Sequence, residues 1–309
     1  MDMPTVMCCP APLRAEALRR LFAANDSTQR ESLGQAIAAA DAEGQSAWAG
    51  LFIAGNPPQA AVWVQRTAGS TAIVWPPEPH AEAAADLLRA AAAYVDAQAI
   101  HLAQIIVSEH DGFDPHVMAD CGFALLAKLL YLYADLPALF RDRSPSTQSP
   151  QFRGGAGDDA EALATLVERT YGGTLDCPSL NGVRSPADVL AGYRAQGEHL
   201  PQHWYVVADD RHQRRDLGVL ILAEHPAARN WELIYMGVVP EARGRELGRQ
   251  IVEFALETAA RGRTERLVLA VDADNSPAIE MYRRAGFAEW DRRIVYARLT
   301  ASPASTAPL

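Results

Sequence analysis

The chain of 309 residues is poor in cysteine and has one lysine, Lys128; arginine supplies its remaining side-chain positive charge. Its four cysteines, Cys8, Cys9, Cys121 and Cys177, lack the paired spacing of a zinc site, and Cys8 and Cys9 are adjacent. Reduced thiols are therefore expected, not a disulfide framework. His199, His203, His212 and His225 show no ligand spacing, so no metal is assigned. Basic residues number 28 against 38 acidic ones, a net charge of −10 that argues against a general nucleic-acid binder. Long apolar runs are missing too. The alanine run at 90–93 is bracketed by Arg89 and Asp96, so no membrane-spanning segment is expected. The first residues include Asp2 and Pro4 and show no basic-then-apolar stretch, so no signal peptide is expected. The composition fits a cytoplasmic globular chain long enough for two ordinary domains.

What the chain does contain is concentrated in one stretch. Residues 233–239 are an apolar run that reads as a strand ended by Pro240. Arg243, Gly244 and Arg245 form a basic, glycine-bearing turn. An amphipathic helix is expected from Gly244 to Arg261, with Leu247, Ile251, Val252, Ala255 and Leu256 on its apolar side. Strand, turn and helix in this order present free backbone N–H groups and a positive helix end to a phosphate. Arg243, Arg245 and Arg249 add charge. The stretch reads as a pyrophosphate cradle.

Val238-Val239-Pro240 followed by Arg243, Leu247 and Gly248 resembles the acetyl-CoA-binding segment of the GNAT superfamily of N-acetyltransferases. Glu246 stands where that family usually has glycine. A second segment resembles the family's Asn-x-x-Ala-x-x-x-Tyr-x-x-x-Gly-Phe signature: Asn275, Ala278, Tyr282, Gly286 and Phe287 fall at its positions. The resemblance implies an α/β fold with a mixed sheet and acetyl-CoA as co-substrate without a metal. It also implies a splay of the cradle strand that frees N–H groups from Met236 through Val238 to Val239. The CoA-contacting set it implies is Met236, Val238, Val239, Arg243 to Arg249 (with Gly244, Arg245, Glu246, Leu247 and Gly248), Asn275, Ala278 and Tyr282.

The order of elements suggests two copies of one unit. A polar, proline-bearing linker at 141–150 separates residues 1–140 from residues 151–300, and a disordered tail is expected at 301–309. Cys121-Gly122-Phe123-Ala124 echoes Ala285-Gly286-Phe287-Ala288, and each is expected to open a terminal strand pair. At the cradle position the first copy has Trp75-Pro76-Pro77-Glu78-Pro79, whose prolines offer no N–H and whose Glu78 opposes an anion. It reads as a degenerate copy. Degenerate followed by intact resembles the tandem layout of the mycothiol synthase group.

Acetylation of an amine needs a proton acceptor, a polarised thioester carbonyl and a proton for the departing thiolate. By the resemblance, Tyr282 supplies the last; as an isolated helix tyrosine it reads equally as packing. Asn275 reads both as a pantetheine contact and as the N-cap of the helix opening at Ser276-Pro277. Glu232 on the cradle strand is the base candidate, and alternation places it on the face of Ile234, Met236 and Val238. Glu224 and a relayed water remain alternatives. Glu246 is expected to favour the helix start and to repel a phosphate. The expected function is acetyl transfer from acetyl-CoA to a small-molecule or peptide amine. A non-catalytic acyl-CoA binder and an enzyme for another acyl-CoA are the rivals, and the acceptor and the oligomeric state stay open.

Overall fold

The computed structural model of the chain describes residues 4–139, 151–209 and 215–300. The expected linker at 141–150, the tail at 301–309 and His212 lie outside them. The first strands are β1 (Val6–Cys8), β2 (Leu51–Ala54), β3 (Ala60–Thr67), β4 (Thr71–Trp75), β5 (Leu102–Ser108) and β6 (Ala124–Asp135). Then come β7 (Gln151–Arg153), β8 (Trp204–Asp209), β9 (Arg215–His225), β10 (Asn230–Val238), β11 (Arg266–Asp272) and β12 (Ala288–Leu299). The helices are α1 (Arg14–Ala24), α2 (Ser27–Glu43), α3 (Ala84–Ala97), α4 (Pro115–Asp120), α5 (Leu136–Leu139), α6 (Ala160–Thr170), α7 (Pro186–Arg194), α8 (Leu247–Arg261) and α9 (Ser276–Arg284). The chain divides into two compact units: the described residues of Met1–Ala127 with Arg293–Leu309, and those of Lys128–Arg292.

In the first unit β1 to β5 lie in sequence order, and residues 293–299 of β12 run antiparallel along β5. Only β4 and β5 are parallel within this set. β3 shows why both faces are covered. Ala61 and Trp63 join Leu21 and Leu33 of α1 and α2, while Val62 and Val64 join Leu87, Ala91 and Val95 of α3. A strand buried on both faces reads as an unbroken apolar run. Asp26 and Gln29 start α2 with reciprocal side-chain bonds to each other's backbone N–H.

In the second unit the strand order is β6-β11-β10-β9-β8-β7, with residues 129–135 of β6 antiparallel to the whole of β11. β10 and β11 are parallel. The run Val219–Ala223 of β9 is fully buried at the centre. α8 packs over it through Leu247, Ile251, Val252, Ala255, Leu256 and Ala259, the i, i+4, i+5 spacing of one helix face.

Two sequence expectations are corrected. The terminal strand pairs are single strands, β6 and β12, because neither stretch holds a glycine, proline or asparagine to turn the chain. The cradle helix begins at Leu247 and not at Gly244, because Gly244 (φ 73°) and Glu246 (φ 60°) are left-handed.

Candidate active site

β10 and β11 pair only over Asn230–Glu232 with Arg266–Val268 and then part. Against its other neighbour β10 stays paired to Val238, with a bulge at Ile234. The Val239 N–H donates to Leu217 O (3.0 Å). The alternation of an antiparallel ladder then points the N–H groups of Met236 and Val238 the other way, into the gap. This is the splay the resemblance implied. Val239 itself is fully buried, and its N–H is spent on the sheet.

The gap opens into a cleft of about 860 Å³ inside the second unit, and Met236, Val238, Arg243, Gly244, Glu246, Leu247, Gly248 and Arg249 form one end of it. Six successive backbone N–H groups, from Gly244 to Arg249, donate to no group among the described residues; the helix ladder starts with Gln250 N–H to Glu246 O (3.1 Å). Such a run at a helix start is an anion site. Gly248 packs closely on α9, since a Cβ there would lie 3.1 Å from Met281 Sδ.

The arginines divide their work. Arg243 donates to three carbonyls: Val238 (3.1 Å), Gly173 (3.0 Å) and Thr170 (2.8 Å). It ties the end of α6 to the end of β10, so each of its three nitrogens gives one N–H to the protein. Arg249 is held by Glu246 (2.9 Å) and Glu253 (2.6 Å), and these two carboxylates raise its pKa. Arg245 is exposed, unpaired among the described residues and outside the cleft lining. Glu246 therefore carries a carboxylate paired with Arg249 and a left-handed backbone, the conformation in which glycine is unstrained.

Asn275, Ala278, Met281 and Tyr282 of the α9 region form an adjoining wall of the cleft. Asn275 is the N-cap, accepting from Ala278 N (3.4 Å). The Tyr282 ring meets Phe287 edge-on (5.5 Å), the residue is 6% exposed, and its hydroxyl has no hydrogen bond to the described residues. Burial first, then the Asp176 charge, pushes this phenol well above its ordinary value. It therefore keeps its proton at neutral pH.

Neither glutamate candidate is brought to this wall. Glu232 sits in the paired start of β10, outside the cleft lining, with His225 Nε2 at 2.8 Å from its carboxylate. The alternation expected for it also fails. The bulge at Ile234 gives Glu232, Tyr235 and Gly237 the partners Ala223, Ile221 and Val219, which share one face. Met236 and Val238 pair with Leu220 and Gly218 on the other. Glu224 lies beside His203 (3.6 Å), also outside the lining; burial and then Glu198 raise its pKa.

The sequence reading missed the far end of the cleft. Tyr193 stacks on Tyr235 (5.4 Å, 18°), Tyr171 meets Tyr235 edge-on (5.9 Å), and the Tyr171 and Tyr193 hydroxyls are 3.3 Å apart. Tyr235 also hydrogen-bonds Thr170. Burial raises all three phenols. Asp176 lines the same end and accepts from the Asp272 N–H (3.1 Å), while Asp272 accepts from the Cys177 N–H (3.2 Å). Burial and the two aspartates push the Cys177 thiol up to about 12. No periodicity marks these residues, because they come from a loop and four separate elements.

Residues 175–287 match the Acetyltransferase (GNAT) family, so the chain carries a GNAT acetyltransferase domain. Among curated proteins it is similar to the mycothiol acetyltransferase of Jonesia denitrificans, 28% identical over 229 residues, 64% of this chain and 66% of that protein. It is also similar to the mycothiol acetyltransferase of Paenarthrobacter aurescens, 33% identical over 115 residues, 37% of this chain and 32% of that protein. The chain thus spans from about a third to just under two thirds of these relatives. A GCN5-related N-acetyltransferase from Sphaerobacter thermophilus shares the fold, with a TM-score of 0.63 at 16% identity over 98% of each chain. No helix among the described residues is long and apolar enough to cross a membrane.

Proposed function

We propose that the second unit transfers an acetyl group from acetyl-CoA to a primary amine. The observation that carries this reading is one cleft that joins the unpartnered N–H run of Gly244 to Arg249, the splayed edge of β10 and the Tyr282 phenol. The N–H run receives the pyrophosphate. Met236 and Val238 offer N–H groups along the pantetheine arm and to the thioester oxygen. The amine nitrogen attacks the carbonyl carbon, the C–S bond breaks, and the leaving thiolate takes the Tyr282 proton. One of the nitrogen's two surplus protons leaves through the acceptor end of the cleft, and the other restores the Tyr282 phenol. Burial keeps the Tyr282 phenol protonated at neutral pH, so a proton is in place for the thiolate, and it also makes the phenol a weaker acid than the thiol it forms.

The relatives' name makes mycothiol lacking its acetyl group the first acceptor to try. The reaction is placed in the cytoplasm, and the first unit is read as a partner that binds no CoA. Calorimetry of the intact protein with acetyl-CoA, followed by thiol-release assays over that acceptor and a panel of primary amines, tests the reading. Binding with amine-dependent thiol release is expected; absence of either overturns it.

A further inference from the structure

The splay leaves the acceptor amine without an evident proton acceptor, because Glu232 is bonded to His225 and both Glu232 and Glu224 lie outside the cleft lining. Asp176 is the carboxylate that the loop after α6 carries into the cleft. Beyond its last pair with β10, β11 has an unused edge, and the Asp272 N–H on that edge donates to Asp176 Oδ1 (3.1 Å). Asp272 Oδ2 returns the contact by accepting from the Cys177 N–H (3.2 Å). This double clasp fixes Asp176 at the mouth of the splay. Its second oxygen makes no hydrogen bond to the described residues. α9, with Tyr282, leaves β11 only a few residues later, so both walls are set by the end of one strand.

On the reading of the cleft given above, we propose that Asp176 binds the acceptor as an ammonium through its second oxygen and takes the proton that must leave before nitrogen attacks. The proton passes from R–NH3+ to the Asp176 carboxylate and then to solvent. The neutral nitrogen forms the C–N bond, the C–S bond breaks, and Tyr282 protonates the thiolate. The second amine proton, released as the amide forms, returns to the Tyr282 oxygen through cleft water. The groups facing Asp176 are Asp272 on β11, Cys177 on its own loop, Tyr171 after α6, Tyr235 on β10 and Tyr282 on α9. Burial, and then the Asp272 charge, holds the Asp176 carboxyl above the usual carboxylate range, against the opposing Asp272 N–H bond. Its affinity for a proton is thereby raised toward that of an amine's partner. The acceptor class is an amine that is cationic in water, with stacking or hydroxyl-bearing surface for the three tyrosines.

The test compares the intact protein with Asp176→Asn, using acetyl-CoA, mycothiol lacking its acetyl group and a panel of simple primary amines. Asparagine keeps an oxygen for the Asp272 N–H and removes the charge. Acetyl-CoA affinity should hold, while kcat near neutrality falls by roughly 10²–10⁴-fold. The loss should shrink as pH rises and the amine deprotonates unaided, a rescue that a merely structural loop residue would not show. An unchanged kcat and pH profile, or a loss that high pH does not relieve, overturns the assignment of Asp176. If the parent protein turns over no amine while binding acetyl-CoA, the acetyl-transfer reading itself fails, and Asp176 with it.

Discussion

Both units contain a parallel strand pair that parts after three residues: Thr71–Ile73 on Leu102–Gln104 in the first, Asn230–Glu232 on Arg266–Val268 in the second. Beyond the parting the two units diverge. In the first unit Pro76 and Pro77 are buried and have no N–H. Among the turn's other donors, Ala81 N–H goes to Glu78 O and Ala84 N–H to Ala81 O, which together with the prolines breaks up any long run of free N–H groups. The exposed edge of β5 is also used, since Gln29 Nε2 donates to Ile106 O (2.5 Å). In the second unit six N–H groups wait unpartnered. The sheet makes an opening in both; the turn decides whether an anion has anything to bind. On the proposed reading, function resides in the turn and not in the sheet.

The largest expected effect is all-or-none. Acetyl-CoA should titrate the intact chain with a single site, and charge reversal at exposed Glu78 should leave that titration unaltered. Two equivalent sites by calorimetry would break the comparison. A fragment beginning at Gln151 is the wrong vehicle, because it lacks β6, the partner of β11 along its whole length. Next comes Tyr282→Phe. It removes a hydroxyl that has no hydrogen bond to the described residues, so folding and CoA affinity should persist while thiol release falls roughly 10²-fold. Unchanged turnover makes Tyr282 a packing residue against Phe287, and the two units then differ in binding alone.

The second unit's cradle was legible in the sequence because its chemistry is local: a strand, a proline, a basic turn and an apolar helix face lie within one short stretch. Met236, Val238, Gly248 and Tyr282 are read from that stretch and from the last helix. The acceptor end was not legible, since Asp176, Tyr171, Tyr193 and Tyr235 meet only after folding. Glu232 shows a subtler limit. Period-two reasoning carried it onto the face of Met236, and one extra residue at the Ile234 bulge moved it to the other. Arg243 shows a third: charge at a phosphate turn was legible, but its use on three carbonyls depends on where α6 ends.

A smaller effect lies at Glu246. Helix propensity alone makes glycine there cost stability; with φ at 60° the sign reverses. Glu246→Gly should relieve a left-handed strain of about 1–2 kcal/mol, offset by the freedom glycine adds to the unfolded chain, for a net gain of up to about 1 kcal/mol. Glu246→Gln keeps the strained backbone and should show no such gain in thermal melts. Both release Arg249 from one carboxylate and should tighten CoA binding several-fold at low salt, less at high salt. Equal stability of the two variants would sink the backbone argument.

The smallest effect tests the paired end of β10 against its open end. The Glu232 hydrogen bond, and then its charge, raises the His225 pKa against the opposing pull of burial. A histidine raised in the folded state contributes stability that is fully present below its unfolded value of about 6.5 and fades as pH rises through the folded value. Both side chains are 29% exposed, so the pair is worth no more than about 1 kcal/mol. Melts of the parent and of Glu232→Gln should differ at about pH 5.5 and converge at about pH 9. Acetyl transfer at neutral pH should be nearly unchanged in the same variant, because the residue lies outside the cleft lining. If instead Glu232→Gln abolishes turnover with CoA affinity intact, the proton leaves along β10, and the division of the strand into a structural end and a chemical end is wrong.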